Sequence, residues 1–75
     1  MMQVKVKLFA SLRDGRFKES DMEFGEESKV KDVIEQCDLP LDEVAITMVN
    51  GKDVDNDHQL HEGDTVSIFP PVGGG

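Results

Sequence analysis

Thr65-Val66-Ser67-Ile68-Phe69-Pro70-Pro71-Val72-Gly73-Gly74-Gly75 begins as a strand and then loses the ability to pair. Val66 and Ile68 fall on one face of a period-two pattern, and Thr65, Ser67 and Phe69 on the other. Neither Pro70 nor Pro71 can donate a ladder hydrogen bond, and Pro71 pushes Pro70 towards extended geometry. The three final glycines have no side chains to pack. The pattern predicts a folded domain over residues 1–69 and a flexible C-terminal tail over 70–75 that projects from it. Fully extended, such a tail reaches roughly 20 Å.

At its tip the reactive group is the carboxylate of Gly75. Without a nearby β-carbon it fits a narrow channel in another protein. A carboxylate is a poor electrophile until its oxygen becomes a good leaving group. Condensation with ATP gives an acyl-adenylate; a sulfur nucleophile then gives a thiocarboxylate, and an amine gives an amide.

The remaining strands follow from periodicity. Gln3 to Phe9 alternates, with Val4, Val6 and Leu8 on one face and Lys5, Lys7 and Phe9 on the other. A loop over Ala10–Gly15, closed by the Asp14-Gly15 turn signal, leads to a second strand from Arg16 to Phe24. Ser28 is the expected N-cap of a helix whose apolar stripe is Val30, Val33, Ile34 and Cys37. Asp38-Leu39-Pro40 ends it. A third strand, Val44 to Val49, meets the Asn50-Gly51 hairpin signal, with Lys52-Asp53-Val54 as its return. Leu60 anchors a polar connector to the last strand.

Strand, strand, helix, strand, short strand, strand is an α+β order. It predicts a mixed sheet of four to five strands with one main helix on one face, and the first and last strands parallel at its centre. This is similar to the β-grasp, or ubiquitin-like, arrangement. With Val4, Val6 and Leu8 towards the helix, Phe9 points away from it, and the same holds for Phe69 against Val66 and Ile68. Both aromatics are then expected on the helix-free face, at the base of the tail, as a docking patch.

Composition sets limits on function. The chain has 75 residues, enough for one small core, and a net charge of -8, which disfavours phosphate backbones and suits a partner with a basic docking face. A lone cysteine rules out an intrachain disulfide. With no signal peptide and no long apolar run, a soluble, cytoplasmic chain, monomeric when free, is the expectation, with no membrane or nucleic-acid partner. Cys37, on an apolar stripe, reads as core filling. His58 and His61 have no clustered third ligand, so no metal site is expected. No side chain stands out as a general acid or base, so the isolated chain is not read as an enzyme.

Four blocks resemble the MoaD/ThiS family of ubiquitin-like sulfur carriers, particularly its molybdopterin synthase small-subunit branch. They are Val6-Lys7-Leu8-Phe9-Ala10-Ser11-Leu12-Arg13, Val49-Asn50-Gly51, Leu60 with Gly63-Asp64-Thr65-Val66, and Phe69 through Gly75. The resemblance implies that an ATP-dependent, ubiquitin-activating-type enzyme adenylates Gly75 and that sulfur replaces AMP to give a thiocarboxylate. It also implies that the tail inserts into the molybdopterin synthase large subunit, where the sulfur passes to the cofactor precursor. Gly74 and Gly75 match the family diglycine, with Gly73 where a small residue other than glycine is usual. Phe9, Phe69, Pro70, Pro71 and Val72 match its partner-contacting region. The carrier itself holds no cofactor, and ATP is used by the activating partner. Relatives with this tail also serve tRNA thiolation, tungsten-cofactor assembly or attachment to protein lysines. The thiamine-pathway carriers, a further alternative, are similar in fold but generally lack the Phe-Pro-Pro element, so the resemblance leans away from thiamine.

Overall fold

Along the first strand the alternation of the sequence becomes an alternation of burial. β1 (Met2–Leu8) buries Met2, Val4, Val6 and Leu8 and turns Gln3, Lys5 and Lys7 to the other face. This computed structural model describes residues 1–71. The expectations for Val72, Gly73, Gly74 and Gly75 lie outside the described residues.

The other elements are β2 (Glu19–Phe24), α1 (Val30–Gln36), β3 (Ile46–Val49), β4 (Lys52–Val54) and β5 (Thr65–Phe69). The strands form one sheet in the order β2-β1-β5-β3-β4. β1 and β5 run parallel at its centre, Lys5 facing Thr65 and Leu8 facing Ile68, and the other pairings are antiparallel. With α1 on one face, this is the expected β-grasp fold.

Val30, Val33 and Ile34 carry α1 onto the sheet, against Val4, Val6, Leu8, Val66 and Ile68. Its start differs from expectation. Ser28 is not the N-cap: its carbonyl accepts the Leu60 N–H at 3.0 Å and Gln59 Nε2 at 3.1 Å, in a short bridge between Lys29 and Gln59. Lys29 takes the cap position, and its N–H donates to the Asp32 carboxylate at 2.7 Å. At the other end Cys37 is the cap and Asp38 is left-handed (φ 55°). The Leu39 N–H then returns to the Ile34 carbonyl at 3.1 Å and the Asp38 N–H to that of Glu35 at 3.0 Å, a Schellman closure with buried Ile34 and Leu39 on its apolar side.

Two strands start later than their sequence patterns imply. β2 starts at Glu19 rather than Arg16, because Arg16 closes a turn. Its N–H bonds the Arg13 carbonyl at 2.9 Å, and its guanidinium reaches the carbonyls of Leu12 and Asp38. β3 starts at Ile46 rather than Val44, because Leu41–Glu43 forms a 3-10 turn. The Asn50-Gly51 hairpin is as read, with positive φ at both residues (53° and 83°), as a type I′ turn requires.

The loop after β1 also carries structure. Ala10–Arg13 is a 3-10 turn that drives Leu12 fully into the core. Leu12→Ala is therefore expected to cost about 2–5 kcal/mol, a large part of the total of about 4–11 kcal/mol for a domain this size. A urea midpoint within error of the parent would show that the turn, and not the side chain, holds this corner.

Candidate functional site at the base of the C-terminal segment

Parallel pairing of β1 with β5 brings the two strand ends side by side, and each is followed or closed by a phenylalanine. The Phe9 N–H donates to the Ile68 carbonyl at 3.2 Å. The Phe9 and Phe69 rings stack with centroids 4.3 Å apart and planes 14° from parallel. They lie on the helix-free face, as the alternation predicted, and are half-buried.

Arg13 completes this corner. Ala10 adopts a left-handed conformation (φ 52°), which turns the chain back on itself. Arg13 Nε then donates to the Leu8 carbonyl at 2.8 Å, and the guanidinium sits 5.5 Å from the Phe9 ring centroid. Lys7, Lys18 and Glu19 line the same small cleft, so with Arg13 three cations stand against one carboxylate beside the rings. The site thus joins an apolar surface to a local positive field, although the chain as a whole is acidic.

Sequence reasoning missed Ile46. It pairs directly with Phe69 and is 41% exposed, extending the apolar strip to Phe9–Phe69–Ile46 across three strands, with Met48 on the same face. A signal was present. The Asn50-Gly51 turn fixes the phase of β3, so counting back by twos from buried Val49 puts Thr47 inside and Ile46 outside.

A second omission is the polar clamp that starts β5. Buried Asp64 accepts from Asn50 Nδ2 and from the His61 N–H, both at 2.8 Å, and Asn50 Oδ1 accepts the Thr65 N–H at 3.0 Å. Among the described residues, no buried side-chain nitrogen or oxygen lacks a partner.

Of the predicted tail-side residues, Pro70 is half-buried and Pro71 exposed, directly beyond the stacked rings. The expected roles of Val72, Gly73, Gly74 and Gly75 fall outside the described residues. Cys37 is core, with its Sγ 3.9 Å from Met22 Sδ. Burial pushes its thiol above the ordinary value, with Arg16 opposing more weakly. His61 is exposed, its Nδ1 3.9 Å from the Asp64 carboxylate. Among the described residues no group of three or more His, Cys, Asp or Glu side chains is placed to hold a metal. Nor is any described helix long and apolar enough to cross a membrane.

Comparison with known proteins agrees with this geometry. The sequence profile of the ThiS family matches residues 6–75. Among solved structures, a putative molybdopterin converting factor subunit 1 from Pyrococcus furiosus is 33% identical, with a TM-score of 0.78 over 96% of this chain and 100% of that one. Small archaeal modifier protein 1 from Methanosarcina acetivorans is 29% identical, with a TM-score of 0.75 over 100% of this chain and 98% of that one. A complex of subunits 1 and 2 of the Helicobacter pylori molybdopterin-converting factor shares the fold at 20% identity and a TM-score of 0.65, over 99% of this chain and 100% of that one.

Stacked rings should couple energetically. A double-mutant cycle on Phe9→Ala and Phe69→Ala, read by denaturant unfolding, is expected to give about 0.5–1.5 kcal/mol of coupling; additive losses would mean that the stack contributes nothing beyond area. For Cys37 the sign follows from the raised folded value, since the neutral thiol is the form the core accommodates. Stability is expected to be full below the ordinary thiol value of 9.0 and to fall as pH rises past it towards the raised value. Cys37→Ala should flatten that alkaline decline.

Proposed function

Because the chain belongs to the ThiS family, whose members are small carrier proteins rather than enzymes, we propose that it is a sulfur carrier acting through the Gly75 carboxylate. In this reading an adenylating enzyme transfers AMP from ATP to that carboxylate and releases pyrophosphate. Attack by a hydrosulfide-equivalent nucleophile at the carbonyl carbon expels AMP and leaves a thiocarboxylate. The receiving pathway is molybdenum- or tungsten-cofactor assembly, and the thiocarboxylate sulfur passes to the molybdopterin precursor. The work is cytoplasmic, and the chain itself binds no cofactor.

The single observation that carries this reading is the stacked Phe9–Phe69 pair at the end of β5, immediately before Pro70-Pro71 and the terminal glycines. Residues 1–69 act as the grip by which a partner holds the protein, and residues 70–75 as the segment that enters the partner's active site. Phe9, Phe69, Pro70, Pro71 and Val72 are the contact residues, to which Ile46 is added. Two partners are implied: the adenylating enzyme, and a large subunit of the kind seen with subunit 1 in the Helicobacter pylori complex. Identity to the Pyrococcus furiosus protein over essentially the whole of both chains supports the molybdopterin branch.

Similarity to the Methanosarcina acetivorans modifier favours a second reading, amide attachment of Gly75 to lysines of other proteins. Both readings share the adenylate and differ only in the nucleophile that takes the acyl group.

Intact-mass spectrometry separates them. With ATP, sulfide and the organism's adenylating enzyme, the chain is expected to gain the mass of one oxygen-to-sulfur exchange, and a variant lacking residues 73–75, which keeps no terminal glycine, to gain nothing. A chain that stays unchanged under turnover conditions overturns the carrier. Conjugation has its own signature. Trypsin cuts after Lys52, the last lysine or arginine, so a modified lysine would carry residues 53–75 as a branch.

A further inference from the structure

α1 is small for the sheet it covers. Its seven residues span about 10 Å at 1.5 Å per residue, and five strands at about 4.8 Å spacing are about 19 Å wide. At the β3–β4 margin the helix-side residues Thr47 and Val54 line an open groove together with Leu41 of the 3-10 turn and Val44. Two grooves result, and they share Leu41 and Asn56. One is floored by Val44, Thr47 and Val54, the other by Ile34 and Leu39. Leu41 stands between them, 67% exposed.

The rim of both grooves is acidic. Asp55 and Asp57 edge one and Glu35 and Asp38 the other, while Asp42 and Glu43 follow Leu41 in the turn. Among the described residues the one cation lining either groove is Lys31, and it already lies 3.9 Å from Asp57. An exposed apolar side chain inside a ring of carboxylates has a definite complement. That complement is an apolar residue flanked by Lys or Arg, whose methylene stems cover the apolar floor while their charged heads meet the carboxylates.

We propose that these grooves are the docking site for a basic segment of a protein partner, one apolar residue packing beside Leu41 and its flanking cations meeting Glu35, Asp38, Asp55 and Asp57. The site is on the helix side of the sheet, whereas Phe9, Phe69 and Ile46 occupy the opposite face, so both surfaces can be engaged at once. Ala45 joins the two regions: it lines one groove, and its N–H donates to the Phe69 carbonyl at 2.9 Å. A second copy of this chain would offer Phe9 beside Lys7, Arg13 and Lys18, but it would also bring together two chains of net charge -8 and would occupy the strip around Phe69, so a separate basic segment is the occupant favoured. The proposal is independent of sulfur transfer or conjugation.

The test is an NMR titration of the isotope-labelled full chain with two synthetic peptides. One carries leucine between lysines and arginines; the other carries the same leucine between glutamates. The basic peptide is expected to shift the amides of Leu41, Val44, Ala45 and Asn56, with binding that weakens as salt is added, and the acidic peptide to shift none of them. Leu41→Ser should weaken the basic peptide about tenfold or more. Glu35→Lys with Asp57→Lys, both exposed, should do the same without touching the apolar floor. Four results would overturn the proposal: no response to the basic peptide, equal response to both, shifts centred on Phe9 and Phe69, or peptide-free, concentration-dependent shifts at Leu41 that identify a second copy as the occupant.

Discussion

The corner where Phe9 and Phe69 stack depends on the parallel pairing of the first and last strands. Leu8 facing Ile68 and Val6 facing Val66 put four fully buried side chains under the helix. Burial of each is worth about 1.5–3 kcal/mol, whereas aromatic stacking adds about 0.5–1.5 kcal/mol. The core therefore sets the register and the Phe9–Phe69 stack follows from it. A one-residue slip of β5 would turn Val66 and Ile68 to solvent and Phe69 inward, so the exposure of Phe69 is enforced by what its neighbours bury. The Asp64–Asn50 clamp fixes the point at which β5 begins and makes that slip harder still.

Where each residue's fate was decided by its immediate neighbours, the sequence could be read. The alternation of β1 and β5, the helical stripe, the Asn50-Gly51 turn and the placement of Phe9 and Phe69 all follow from local periodicity. Misreadings came where a distant segment claimed the backbone. Ser28 has the chemistry of an N-cap, but residues 59 and 60 take its carbonyl. Arg16 reads as strand, but its guanidinium is held by the carbonyls of Leu12 and Asp38. Asp64 looks like one more surface acid in a polar connector; only the return of the chain beside Asn50 makes it a buried acceptor. At the candidate site the phenylalanines were visible because each ends an unbroken alternation. Ile46 was hidden because the apolar run Val44-Ala45-Ile46 gives no phase of its own, and the phase comes from the hairpin beyond it.

Net charge was the least informative quantity at the site. A value of -8 suggests a uniformly acidic surface, but the fold sorts the charges. Lys7, Arg13 and Lys18 outnumber Glu19 beside Phe9, and Glu35, Asp38, Asp55 and Asp57 line the grooves at Leu41 on the other side of the sheet. A partner gripping the Phe9–Phe69 strip meets a locally positive field, while one approaching the helix side meets a negative one. The two surfaces therefore favour partners of opposite character, a discrimination that does not require a conformational change in the chain.

The prolines at the strand end act on the sheet itself, independently of the glycines beyond them. The Phe69 carbonyl accepts from Ala45, and the next residue has no N–H to offer either neighbouring strand. Ladder extension past Phe69 is thus barred by covalent structure, so the chain leaves the sheet at a fixed point, beside the stacked rings. Proline also narrows the backbone freedom of the segment that starts there, and each torsion already restricted is one a binding partner need not order. The proposed carrier role, in which the terminus is the reactive group, needs a defined exit and a defined grip close together. The β5 end provides the first through Pro70 and Pro71, and the second through Phe9, Phe69 and Ile46.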